Sequence, residues 1–315
     1  MSVSDAIPPA PDRQTLPLRY EAMRRGLQLA AFAVAVTVTL LAAGSTGRAS
    51  VPLRYVALGD SFSSGEGNPP YREGTDRLLP YDRCHRSNLA YPVLVRHARP
   101  AGAWSFWACS GARIPDMTHR NAENPTELAQ LDRVAPPGTS DPSVGLVTLT
   151  IGGNDAQFGL AVGCIASQIV APLVCPSGWQ ATVAAATWRL RTTLPPVLRA
   201  LRKRAPNARI LLLGYPDPFP RSVPRGSRCS LWFSAADIAW ATKEAALLND
   251  VIRVAATTSH AAITYVPPTG FARHDVCSRS PWFNPFEIGP DRIGGSFHPT
   301  ALGQRQLARE VLARL

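Results

Sequence analysis

The stretch Tyr55-Val56-Ala57-Leu58-Gly59-Asp60-Ser61-Phe62-Ser63-Ser64-Gly65 (YVALGDSFSSG) decides the fold class. Its first four residues are apolar without polar alternation, and they stop at Gly-Asp-Ser. A short, continuous apolar run suits a strand buried on both faces, as in a parallel sheet covered by helices. The pattern recurs downstream. Val144–Ile151 (VGLVTLTI) stops at Gly152-Gly153-Asn154-Asp155, and Trp104–Ala108, Ile210–Leu213 and Ile263–Val266 read as three further strands. Helices are expected over Tyr91–His97, Pro125–Val134, Gln180–Arg204, Ala235–Ala256 and Thr300–Leu315. Strand–helix alternation argues for an α/β fold with right-handed crossovers. Ligands of such sheets bind beyond the carboxyl ends of the strands. The first and third strands end there in the two most unusual polar clusters of the chain. The loops Gly65–Arg83, Gly159–Gly178, Pro216–Trp232 and Phe271–Gly295 fall on the same side and could roof a cleft.

Ser61 stands at a strand-to-helix turn, where a side chain is presented outward and the residue's own N–H points into the opening. A hydroxyl attacks only when a nearby base takes its proton. His298, in Ser296-Phe297-His298-Pro299, is the histidine best suited, set before the last helix with Thr300 as N-cap. Pro299 holds His298 in extended backbone. A developing oxyanion needs donors. The Ser61 N–H, the Gly111 N–H in Cys109-Ser110-Gly111-Ala112 and the Asn154 side-chain amide supply three, from three neighbouring strands. Asp60 and Asp155 read as loop braces. The remaining histidines, His85, His97, His119, His260 and His274, read as surface or packing residues, and Trp104, Trp107 and Trp188 as core. Trp232, Phe233, Trp282 and Phe283 either line an acyl pocket or pack around Cys229 and Cys277.

GDSFSSG at the first strand, Gly111 after the second, GGND at the third and FHP before the last helix together resemble the SGNH hydrolase family, the GDSL esterases and lipases. The resemblance spans Tyr55 to Leu315. It implies a three-layer αβα sandwich with a five-stranded parallel sheet in the order 2-1-3-4-5. It also implies Ser61 as nucleophile, His298 as base, and Ser61, Gly111 and Asn154 as the oxyanion hole, with no metal and no cofactor. One position departs from the pattern. Many members carry Asp three residues before the histidine, where this chain has Gly295. A Ser–His dyad is therefore expected, with the carbonyl of Gly295 (or Ser296) accepting from Nδ1 of His298, and Asp291 as the reserve carboxylate. A G-x-S-x-G elbow is absent, which disfavours the α/β-hydrolase version of this chemistry.

Composition fits an enzyme of this size. The chain has 315 residues, 45% hydrophobic and 17% charged, which excludes a disordered protein, and 30 prolines, which exclude a continuous helical bundle. Net charge is +11, from 33 Lys+Arg against 22 Asp+Glu. The basic residues are scattered, with no zinc-finger spacing, RNP-like motif or basic helix. That favours a plain basic surface first, transient contact with anionic membrane or cell wall second, and nucleic-acid binding last. Arg24-Arg25 followed by the uncharged run Leu27–Ala43 and the small residues Ala42–Gly47 describe an export signal over residues 1–49, ahead of a hydrolase domain at 50–315. An uncleaved anchor at 27–43 is the alternative, and Met23 is an alternative start. Six cysteines at 84, 109, 164, 175, 229 and 277 lie beyond the leader, an even number suited to an oxidising compartment. Sequential pairing, Cys84–Cys109, Cys164–Cys175 and Cys229–Cys277, closes the shortest loops among the possible connectivities. Three such pairs and an export signal resemble the secreted bacterial lipase and phospholipase branch of the family. The expected protein is a secreted, monomeric esterase or lipase acting on lipid or short acyl esters. Alternatives are a phospholipase, a polysaccharide deacetylase, or a silent lipid- or carbohydrate-binding scaffold.

Overall fold

The computed structural model describes residues 53–78, 81–99, 102–161, 163–164, 178–222, 234–287, 289 and 293–315. The apolar run 27–43, Cys175, Cys229, Trp232, Phe233 and Asp291 lie outside them. Residues from Pro52 onward form one compact unit. Five parallel strands make its sheet: β1 (Arg54–Gly59), β4 (Trp104–Phe106), β5 (Val144–Thr150), β6 (Arg209–Leu213) and β7 (Ile263–Val266). A small antiparallel hairpin, β2 (Arg77–Leu78) and β3 (Tyr81–Asp82), precedes β4. Numbered along the chain, the sheet order is β4-β1-β5-β6-β7. It departs from the expected 2-1-3-4-5 in numbering, because the hairpin inserts two strands; the neighbours within the five-stranded sheet are those expected.

Successive side chains of a strand face opposite ways, so each strand feeds two cores. Val56, Leu58, Val147, Leu149, Ile210 and Leu212 bury one face under α3 (Trp179–Arg204) and α4 (Ala235–Thr258), through Leu190, Leu194, Leu198, Leu248 and Ile252. Tyr55, Ala57, Leu211, Leu213 and Val266 bury the other under α2 (Tyr91–Ala98) and α5 (Ala301–Leu312), through Tyr91, Val95, Leu307 and Val311. The result is a helix–sheet–helix sandwich, and the unbroken apolar runs of the sequence are strands covered on both faces. Among the described residues no helix is long and apolar enough to cross a membrane.

Two expectations are corrected. Pro125–Val134 is not an α-helix; it holds a 3₁₀ turn at Gln130–Arg133. Its polar side chains serve the backbone instead of solvating a helix face. The Gln130 amide accepts from the Gly59 N–H at 2.7 Å and donates to the Gly59 carbonyl at 2.8 Å; just upstream, Asn121 Oδ1 accepts from the Asn124 N–H at 2.7 Å, and Asn124 Oδ1 accepts from the Arg83 N–H at 2.7 Å. Side-chain bonds of this kind compete with a helix. Trp188 is not core; it is 47% exposed on α3, with the Arg191 guanidinium 5.2 Å from its ring centroid.

Candidate active site

β1 ends in a turn that only glycine can make. Gly59 has φ +119, and a Cβ there would lie within 3 Å of the Thr150 backbone on β5. Asp60 then caps the one-turn helix α1 (Ser61–Ser64), accepting from the Phe62 N–H at 3.1 Å, and Gly65 ends it at φ +86. Asp60 also accepts from Thr150 Oγ1 at 2.6 Å and from the Tyr215 hydroxyl. Burial pushes its carboxyl up to about 7, against these hydrogen bonds. Ser63 continues the network, bonded to Thr150 Oγ1 at 2.8 Å and Tyr91 Oη at 2.9 Å. Asp60 is thus a brace, as expected, and it fixes the serine turn to β5 and β6.

Ser61 Oγ lies 2.7 Å from His298 Nε2. The histidine is placed by a tight turn before α5. Phe297 adopts φ 61, the His298 N–H donates to the Gly295 carbonyl at 3.2 Å, and Thr300 caps α5. His298 Nδ1 faces the Ser296 carbonyl at 3.2 Å. Of the two carbonyls expected, that of Ser296 lies at hydrogen-bond distance from Nδ1, and those of Gly295 and Gly294 also act on the ring. A proton on Nδ1 satisfies this contact and leaves Nε2 to accept from the serine. Burial lowers the His298 pKa from 6.5; the nearby Glu66 charge and the turn carbonyls oppose it without reversing it. A neutral imidazole beside a hydroxyl can act as its base.

The pair opens into a cavity of about 330 Å³. Ser110, Gly111, Gly153 and Asn154 form its polar side, and Phe158, Tyr215, Phe286, Ile293 and Phe297 its apolar side. Gly111 sits at φ +79, and a Cβ there would meet Glu123 Oε2 at 2.6 Å. Among the described residues, neither the Ser61 N–H nor the Gly111 N–H has an acceptor. Asn154 anchors one amide hydrogen on the Ala112 carbonyl at 2.9 Å, and Asp155 braces the same loop by accepting from the Ile114 N–H. Ser61, Gly111 and Asn154 therefore converge on the cavity that His298 borders. Trp282 and Phe283 are not among its lining residues. Phe283 is buried against Phe271, and Trp282 stacks on His274 at 3.6 Å. Phe158, Phe286 and Phe297 line the cavity instead; Phe297 stands in the FHP block, while no motif singled out Phe158 or Phe286.

The chain matches the profile of the GDSL-like lipase/acylhydrolase family over residues 57–306. It belongs to that family, and it is a carboxylic ester hydrolase. Lipase 1 of Streptomyces coelicolor is 32% identical over 272 residues, covering 84% of this chain and 88% of that protein. The lipase of Streptomyces rimosus is 32% identical over 282 residues, covering 87% of this chain and 92% of its own. Two solved structures superpose with a TM-score of 0.63 each, covering 84% of this chain and all of theirs: the extracellular lipase of S. rimosus, at 30% identity, and phospholipase A1 of Streptomyces albidoflavus, at 28%.

Cys84 and Cys109 are bonded, as expected, and tie the loop after β3 to the loop carrying Gly111. Cys164 and Cys277 are also disulfide-bonded. Their partners are not among the described residues. Sequence reasoning missed one further group at the site. His85 is not a simple surface or packing residue: it is buried in an ion pair with Glu66, 2.6 Å apart, and Glu66 in turn lies against Gly294 of the His298 turn. Loop residues 19 apart carry no periodicity that would have announced the contact.

Proposed function

We propose that this protein is an exported lipase-type esterase that cleaves carboxylic esters with a Ser61–His298 dyad. The observation that carries the reading is the 2.7 Å contact between Ser61 Oγ and His298 Nε2, both of which line a cavity shared with Phe158, Phe286, Ile293 and Phe297. His298 Nε2 takes the Ser61 proton as Oγ attacks the ester carbonyl. The tetrahedral oxyanion accepts from the Ser61 N–H, the Gly111 N–H and the Asn154 amide. His298 then gives its proton to the leaving alcohol, and the acyl group remains on Ser61. Water, deprotonated by the same imidazole, releases the acid and restores the serine. The Ser296 carbonyl keeps the Nδ1 proton in place throughout. Asp291 takes no part, so Asp291→Ala retains most activity while His298→Ala does not.

The acyl chain lies along Phe158, Phe286 and Phe297, which favours lipid or simple acyl esters over acetylated sugars. Export is supported by the leader-like residues 1–49, the bonded cysteines and the extracellular lipase of S. rimosus among the similar proteins. Residues 50–315 then act as the hydrolase domain, a monomer without cofactor or metal. Cys164–Cys175 and Cys229–Cys277 complete the pairing. A phospholipase reading has its own support: the likeness to a phospholipase A1 and a net charge of +11, which would attract the enzyme to anionic lipid. Hydrolysis of p-nitrophenyl esters, triglyceride emulsions and phospholipid vesicles by the wild type and by Ser61→Ala tests both readings. Turnover on any ester that disappears in a folded Ser61→Ala protein supports the dyad, and equal turnover in the variant rejects it. Release of fatty acid from phospholipid faster than from triglyceride selects the phospholipase.

A further inference from the structure

Glu66 follows the GDSFSSG block, and the mechanism above gives it no role. It is 4% exposed, and its N–H is bonded to the Ser61 carbonyl at 3.1 Å. Oε2 accepts from His85 Nδ1 at 2.6 Å, and Oε1 lies 3.4 Å from the Tyr71 hydroxyl. The Tyr71 ring stacks on the His85 imidazole at 4.4 Å. His85 Nε2 is 3.2 Å from Asp76 Oδ1 and 2.9 Å from Arg83 Nε. When His85 is neutral this nitrogen accepts from Arg83; when it is protonated it donates to Asp76. Nδ1–H faces Glu66 in both states.

On its other side this segment packs against the turn that carries His298. A Cβ at Gly294 would lie 3.6 Å from Glu66 Oε1, and one at Gly295 would lie 3.0 Å from Gly67 Cα. The Asn284 amide ties the Gly67 carbonyl (3.2 Å) to the Gly295 carbonyl (3.3 Å). The bare Gly295 lets the Gly67 backbone pack tightly on this turn, which leaves the neighbouring Glu66 carboxylate within van der Waals reach of Gly294. Burial alone would raise the Glu66 pKa, but the bond and charge of His85, the field of His298 and the Ser110 hydroxyl outweigh it and leave it below 4.5. Burial would lower His85, yet Glu66 and Asp76 outweigh it and Arg83, and its pKa rises above 6.5. Glu66 is therefore ionised at neutral pH. Of the influences opposing desolvation at His298, its charge ranks ahead of the Ser296 carbonyl.

We propose that Glu66 is a positioning residue for His298: its carboxylate, held ionised by His85, stabilises the imidazolium from behind the Gly294–Ser296 turn, in place of the carboxylate that Gly295 cannot supply. The inference rests on the Ser61–His298 reading. A neutral carbonyl at Nδ1 selects the tautomer but stabilises the cation weakly. A full negative charge in a poorly solvated site adds what the carbonyl lacks.

The test uses the whole protein carrying Glu66→Gln, Glu66→Asp or His85→Gln. Removing the charge makes the imidazolium less favourable, so His298 stays neutral to lower pH. In Glu66→Gln the acid limb of the kcat/KM profile therefore moves down by about one pH unit. The plateau kcat falls about tenfold, with KM unchanged. Glu66→Asp keeps the charge and restores both, whereas a merely structural anchor would leave the limb fixed in both variants. His85→Gln moves the limb the same way and serves if Glu66→Gln does not fold. The His298 midpoint is also read directly by NMR titration in a Ser61→Ala background, which needs no turnover. An active enzyme whose midpoint and limb are unmoved by Glu66→Gln and His85→Gln overturns the Glu66 assignment. A midpoint that drops in a protein with no esterase activity keeps Glu66's field and removes the dyad instead.

Discussion

Asn154 shows how much one side chain can be asked to do. Its amide carries two hydrogens, and the Ala112 carbonyl holds one at 2.9 Å. That bond orients the other toward the cavity. In the proposed mechanism Asn154→Ala removes an oxyanion donor, so it should lower kcat about a hundred- to a thousand-fold with KM little changed, measured on a soluble ester. The Glu66–His85 pair makes a different demand, on stability. Glu66 lies below its ordinary 4.5, so its contribution is present above that pH and is lost as pH falls through the lowered value. His85 lies above its ordinary 6.5, so its contribution is complete below that pH and is lost as pH rises through the raised value. Both act fully between 4.5 and 6.5. Urea unfolding should show Glu66→Gln losing more stability at about pH 5.5 than above the raised His85 pKa, where neutral His85 no longer attracts the carboxylate.

At the level of elements, the serine turn depends on backbone geometry as much as on Ser61. Gly59 must pass at φ +119 against β5, and a Cβ there would stand 2.3 Å from the Thr150 carbonyl oxygen. Gly59→Ala should destabilise the fold by about 3 kcal/mol or more, read from chemical denaturation, with activity falling in the fraction that remains folded. Elements of this kind were largely legible beforehand. The strands showed as apolar runs because both faces are covered, and the polar clusters at their ends lie where a parallel sheet places ligands. Segment Pro125–Val134 was not legible as it is, since Gln130 spends its amide on the Gly59 backbone 71 residues away. Trp188 was misjudged because a long helix with one buried face still carries large apolar residues on the other. Motif and order singled out Ser61, Gly111, Asn154 and His298, and the fold brings these four to one cavity. The Glu66–His85 contact and the Phe158–Phe286–Phe297 wall arise from loops folding back, which no local spacing encodes.

Across the whole molecule, the loop carrying Gly111 is tethered covalently as well as by packing. Cys84–Cys109 spans a sequence separation of 25 and joins that loop to the hairpin region. Cross-linking a loop of this size removes unfolded-state freedom worth about 3 kcal/mol. Replacing both cysteines by serine should lower the thermal midpoint by several degrees, about what that loss implies for a protein of this length, as scanning calorimetry would register. The same tether fits a chain built to work where thiols are oxidised.

The most direct measurement is covalent capture of the nucleophile. Wild-type protein is treated with an alkyl phosphonate ester that traps activated serines, then examined by intact mass and peptide mapping. A single adduct on Ser61, formed in step with loss of esterase activity and not formed in folded His298→Ala, is the predicted result. Labelling at another residue, or equal labelling of Ser61 without His298, would contradict it.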